Sequence, residues 1–309
     1  MIKAFSSKIL ILLIVCCATT KLSAQYTVTT DNKSKLSAYQ DSLLTLSEET
    51  FTAKDNLSRF EKNAAFVKKL VTALKINGSF NYDFDSLKRI SVLKSPDQSF
   101  RIITWFIPTD EGNYRYYGTI QMATPNGSLK LFPLTDDTNN LIDANAVTSH
   151  KNWLGARYYE ILPVIVNGKQ PYFLLLGWKG NDQKTTKKII EVLSFEKGEP
   201  VFGKNIFEPV KNSPLKNRVV FEYNKQNAMT LTFDKKVNMI VFDHLVPYDP
   251  KMVGKFEFYA SDSSFDGFKL VYGKLSLSEN IQLKNDASAN DELYGRPTKA
   301  STVIINQNH

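Results

Sequence analysis

Histidines are scarce in this 309-residue sequence: His150, His244 and His309. His244 is the most suggestive. It ends the apolar run Ile240-Val241-Phe242, sits beside Asp243, and is followed by Tyr248 and Asp249. A histidine oriented by a carboxylate can serve as general base for a hydroxyl nucleophile. Neighbours on a strand, however, project to opposite faces, so Asp243 cannot orient His244 directly. Asp243, His244 and Asp249 are the catalytic candidates, set against the plainer reading in which Asp243 caps a turn and His244 packs at a rim. The sequence has no His-Glu-x-x-His, no Gly-x-Ser-x-Gly and no phosphate-binding glycine loop. Paired carboxylates for glycoside hydrolysis cannot be assigned without spatial separations, and Asp110-Glu111 and Asp136-Asp137 fall in turn-like stretches.

Asp262, Ser264 and Asp266, followed by Gly267, carry the alternate-residue oxygen spacing of a calcium loop. The position of the closing bidentate glutamate is occupied by Gly273, so an Asx-type turn explains the same letters. Calcium is the one cofactor the sequence suggests; otherwise none is expected.

Aromatic residues offer the best hint of binding. Trp105, Tyr117, Trp153, Tyr158 and Trp178 lie in or beside three neighbouring hairpins. Rings exposed on one β face can stack on sugars or line a peptide groove. The competing reading is core filler, because aromatics form 12% of the chain and a core without disulfides has to be filled by bulk.

The elements that would position these residues change character along the chain. Residues 1–24 read as a secretory leader: Lys3 and Lys8, an apolar run Ile9–Val15, and Leu22-Ser23-Ala24 before Gln25. A lipid anchor at Cys16 or Cys17 is the alternative to cleavage after Ala24. Both cysteines of the sequence fall inside this leader, so the mature chain is expected to be cysteine-free, stabilised by a core alone, and without a transmembrane segment. Losing Lys3, Lys8 and Lys21 lowers the formal charge from +8 to +5, spread without a basic cluster, which argues against nucleic acid.

Residues 25–80 show helical spacing: Leu36, Tyr39, Leu43 and Leu46, then Leu57, Phe60, Ala64, Val67, Val71 and Leu74 on one predicted face. Ser58 with Glu61 suggests a capping box, and Gly78 a positive-φ stop. Residues 81–283 are expected to form an antiparallel β domain, with the period becoming two from about residue 90. Strands are expected at 99–107, 114–123, 128–134, 157–166, 172–178, 188–195, 218–223, 228–233, 237–245, 255–259 and 268–275. Asn126-Gly127, Asn167-Gly168 and Lys197-Gly198 mark hairpins. Alternation in 114–123 predicts one wet face at Arg115, Tyr117, Thr119 and Gln121. Tyr172–Leu176 and Met239–Phe242 are apolar on both faces and should be central. Residues 284–309 form a polar tail with a short Val303–Ile305 strand. The fold class is mostly β: an antiparallel meander forming a sandwich or barrel, with an N-terminal amphipathic helical segment. A propeller-like repeat of hairpin units is the minor alternative.

The runs Trp153-Leu154-Gly155-Ala156-Arg157-Tyr158-Tyr159, Leu176-Gly177-Trp178-Lys179-Gly180-Asn181, Phe221-Glu222-Tyr223 and Ile240–Leu245 resemble uncharacterised secreted proteins of Bacteroidetes-type bacteria. The resemblance implies an envelope protein and carries over no catalytic residue. The expectation is an exported protein, periplasmic, extracellular or outer-membrane-associated, with a non-catalytic role in binding a glycan, a peptide or another envelope component. The alternatives are a hydrolase using loop carboxylates or His244, and an assembly subunit docking through its helices.

Overall fold

Leu36 and Leu43 stand two helical turns apart, and burial of this stripe fixes the first helix, α1 (Thr30–Thr52), whose N-cap Thr29 accepts a hydrogen bond from Asn32 N. The computed structural model describes residues 28–209 and 214–283. The leader at 1–24, with Cys16 and Cys17, and the tail 284–309 lie outside the described residues. The second helix, α2 (Asn56–Leu74), starts at Asp55, whose carboxylate accepts from Ser58 N at 2.8 Å, so the cap precedes the expected Ser58–Glu61 box. Its buried face is also rotated from the predicted one. Asn63, Phe66, Leu70, Ala73 and Leu74 are buried, whereas Leu57 is 70% exposed. The reason is a polar anchor: Asn63 Oδ1 accepts from Trp105 Nε1 at 2.8 Å, drawing a face with an asparagine in it toward the core. Gly78 does take positive φ, at 81°, just beyond the helix.

Three antiparallel sheets follow. The first is a meander of β1 (Ser91–Lys94), β2 (Phe100–Pro108), β3 (Tyr114–Met122) and β4 (Lys130–Thr135). The second holds β5 (Thr148–Ser149), β6 (Arg157–Val166), β7 (Lys169–Gly180), β8 (Thr185–Glu196) and β9 (Glu199–Phe202) in the order β5-β9-β8-β7-β6, with β10 (Val219–Asn224) pairing the first half of β8. The third is a meander of β11 (Leu231–Asp234), β12 (Met239–Pro247), β13 (Tyr259–Val271) and β14 (Lys274–Ser278). None of the sheets closes into a barrel; the layers form a sandwich-like stack.

The order of the layers follows from which side chains meet. Leu36, Phe66 and Leu74 of the helices pack on Ile103 and Trp105 of the first sheet. The other face of that sheet, through Phe100, Ile102 and Ile120, meets Phe173, Leu175 and Ile189 of the second. Tyr172, Leu174 and Leu176 turn the opposite way, onto Leu231, Ile240, Phe242 and Phe268 of the third. The double-sided apolar run 172–176 is thus the centre of the stack, as its composition requires. Full burial of each such side chain is worth about 1.5–3 kcal/mol.

Several expectations need correction. The predicted wet face of 115–121 is exposed at Arg115 and half-buried at Tyr117, but its far end is buried: Thr119 is 6% and Gln121 1% exposed, and Gln121 accepts from Arg101 Nε at 2.8 Å and donates to Ser79 Oγ at 3.0 Å. Polar letters there mark a satisfied buried network, not solvent. Residues 255–259 form a short 3-10 turn (Phe256–Phe258) instead of a strand. The expected strand 268–275 is the end of β13, a turn at Tyr272-Gly273 and the start of β14.

Candidate functional site

The hairpin β6–β7 turns at Asn167-Gly168, with φ of 51° and 70°, both left-handed as a two-residue turn of this type demands. Its register places Arg157 directly opposite Trp178 at the open end of the hairpin. Gly180 follows, and a methyl there would fall onto the Tyr114 ring and 2.6 Å from Trp178 Cη2. The missing side chain lets the two rings close, their centroids 5.1 Å apart at 85°. Phe106 of β2 packs against the same indole at 4.7 Å. Trp178 Nε1 donates to Thr186 Oγ1 at 2.9 Å, so the ring is held by rings and by a hydrogen bond.

This half-buried indole lines a cavity of about 380 Å³ together with Phe51, Lys88, Arg89, Phe106 and Arg157. The Arg89 guanidinium lies 4.8 Å over the Phe51 ring, and its Nε donates to both carboxylate oxygens of Glu48, at 2.9 and 2.8 Å. Arg157 donates from Nε to Arg89 O at 3.4 Å and from Nη2 to Lys88 O at 3.3 Å. Burial pulls the Arg157 pKa down, with no neighbouring carboxylate to offset it. The lining holds three cationic side chains, three aromatic rings and no carboxylate. Such a wall suits ring stacking with an ionic contact; it supplies no acid–base pair.

The five aromatic candidates are not brought together on one face. Trp105 is 4% exposed and stacks on half-buried Tyr117 at 5.8 Å beneath α2. Trp153 and Tyr158 are both 0% exposed, and Trp153 Nε1 donates to Tyr158 Oη at 3.0 Å. These four are packing residues; Trp178 alone among the five lines this cavity. Phe51, Phe106, Lys88, Arg89 and Arg157 are the residues that sequence reasoning missed.

Asp243 and His244 are separated as the strand geometry requires. Asp243 accepts from Thr230 N at 2.9 Å, while His244 Nδ1 pairs with Asp266 Oδ2 at 2.7 Å. That bond raises the His244 pKa, helped by the charges of Asp262 and Glu279. Asp249 caps a 3-10 turn by accepting from Lys251 N at 2.8 Å. The suspected calcium oxygens have internal hydrogen-bond partners. Asp262 accepts from Ser264 N and Oγ at 2.9 and 2.6 Å, and Asp266 takes His244 and Asn280 N. No group of three or more His, Cys, Asp or Glu able to hold a metal is found among the described residues.

Among the described residues two further depressions are seen, and all three open to solvent. A groove of about 680 Å³ between α1 and α2 is lined by Tyr39, Leu46, Ala65 and Lys68 among others. One of about 350 Å³ lies beside Asn56, Phe60, Glu111 and Arg115. His244 lines none of these three cavities, and none gathers two carboxylates. No helix among the described residues is long and apolar enough to cross a membrane. No family model matches the chain, and no curated protein or solved structure matches it either.

Proposed function

We propose that this chain is an exported binding protein that holds a saccharide ring against Trp178, without catalysing a reaction on it. The observation that carries the reading is the fixed, half-buried indole on the wall of a cavity of about 380 Å³, within the size range of small-ligand sites. An indole pinned by Phe106, Tyr114 and Thr186 offers a flat apolar surface that needs no ordering when a ring arrives. A peptide adding to the sheet fits less well. The backbone of β6 beside the cavity is engaged: Tyr158 N donates to Thr104 Oγ1 at 3.1 Å, and Tyr158 O accepts from Ser91 Oγ. Edge pairing there would have to displace both bonds.

The test is isothermal titration of the protein with a panel of short oligosaccharides and short unstructured peptides, repeated with Trp178→Ala. Saturable oligosaccharide binding that is lost in Trp178→Ala supports the proposal. Binding of peptides alone, or oligosaccharide binding that Trp178→Ala leaves intact, overturns it.

A further inference from the structure

We infer that the sugar taken by this cavity is anionic, bearing a carboxylate or sulfate that meets Arg157. The inference rests on the saccharide-binding reading and adds the chemical class of the ligand. Its basis is how differently the molecule satisfies its buried arginines. Arg101, 0% exposed, meets no carboxylate among the described residues, but all three of its nitrogens donate at 2.6 to 2.9 Å, to Gln121 Oε1 and to the carbonyls of Tyr82 and Ser79. Arg218, with a side chain 1% exposed, is answered by Glu191 at 2.8 Å and by the carbonyls of Ala144, Ala146 and Phe202. Arg89 is answered by Glu48. Arg157 is half-buried yet meets no carboxylate among the described residues. Two of its nitrogens make long bonds to carbonyls, and among the described residues no hydrogen bond from Nη1 is found.

A guanidinium stripped of part of its water and left without a counter-ion gains from an anion delivered to it. The register decides where that anion sits. Directly opposed residues of an antiparallel pair lie about 5 Å apart at their Cβ atoms. A ring stacked on Trp178 therefore carries its acidic substituent within reach of Arg157 on the adjoining strand. Lys88, exposed beside it on the rim, adds a second positive charge, and no carboxylate lines the cavity to repel the ligand.

The experiment titrates the protein with matched neutral, uronate and sulfated oligosaccharides of equal length, using wild type, Arg157→Met, Lys88→Gln and Trp178→Ala. Thermal melts confirm that each variant is folded, and Arg157→Gln, equally uncharged, stands in if Arg157→Met is not. The expected result is at least about tenfold tighter binding of one anionic series over the neutral one. That preference should shrink at about 0.5 M salt and vanish in Arg157→Met, whereas Trp178→Ala should weaken every series. Which anionic series wins identifies the group as carboxylate or sulfate. Equal affinity for neutral and anionic sugars, or a preference that survives Arg157→Met, overturns the inference while leaving the ring site standing. Absence of binding by all three series overturns both.

Discussion

The ring of Trp178 lies 4.7 Å from that of Phe106 with the planes inclined by 51°, so a residue of the second sheet and one of the first hold a single wall between them. Neither strand places the indole alone. β7 supplies Trp178, β2 supplies the ring beneath it, and Thr186 of β8 takes its N–H at 2.9 Å. The indole is therefore held on sheet, which favours a fixed geometry, while the facing side is supplied by Phe51 at the end of α1 and by Lys88 and Arg89 of the turn before β1.

Two tryptophan substitutions should separate binding from folding. Trp178→Ala is expected to weaken saccharide binding by about tenfold or more, or about 1.4 kcal/mol, at a modest cost in stability. Trp153→Ala removes a side chain that is 0% exposed and orphans the Tyr158 hydroxyl, for a loss of about 3–5 kcal/mol. Urea unfolding and isothermal titration on both variants check the pair.

Gly180→Ala should act through Trp178. The added methyl meets the Tyr114 ring and the Trp178 edge, an overpacking cost of about 1–3 kcal/mol. The expected signature is a shifted Trp178 indole N–H resonance and weaker binding, with the Trp105 and Trp153 resonances unmoved.

The pair of Arg218 and Glu191 is sealed, with side chains 1% and 0% exposed. Burial raises the Glu191 pKa against the pull of Arg218. Glu191→Gln leaves a guanidinium without its counter-charge deep in the second sheet. A loss of about 3–5 kcal/mol in chemical denaturation is expected.

His244 should titrate above its ordinary 6.5, because Asp266 holds its charged form. A raised pKa in the folded state means stabilisation that is complete below the unfolded value and fades as pH rises through the folded one. In Asp266→Asn the NMR titration midpoint of His244 should fall, and the pH dependence of stability between those two values should flatten. An unchanged midpoint would show that Asp266 does not set the protonation of His244.

Much of the fold was legible because the letters that specify it act locally. Asn167-Gly168 announces a two-residue turn; counting outward from it pairs Arg157 with Trp178, as observed, only because two register shifts, at Val164/Val166 and Tyr158/Glu160, displace the pairs between them and then cancel. The apolar run Tyr172–Leu176 declares its central position because each face needs a partner. What escaped reading depends on contacts distant in sequence. Trp153 and Tyr158 look like surface aromatics until their mutual hydrogen bond buries them. Gln121 and Thr119 look wet because a polar residue 20 positions away, Arg101, cannot be matched to Gln121 from the sequence. The face of α2 was misjudged because Asn63 counts as polar in any hydropathy pattern, although its partner is the Trp105 indole. His244 found its carboxylate 22 residues on, across a β-bulge between Asp243 and Leu245 that alternation does not show. The cavity draws Phe51 from α1 and Arg89 from the segment before β1, so no single stretch of sequence contains it.

The most direct measurement follows the three tryptophan indole N–H resonances during titration with neutral, uronate and sulfated oligosaccharides. A saturable shift of the Trp178 signal, with the Trp105 and Trp153 signals stationary, is the predicted result. A Trp178 signal that stays fixed throughout the panel, or shifts confined to Trp105 or Trp153, would contradict it.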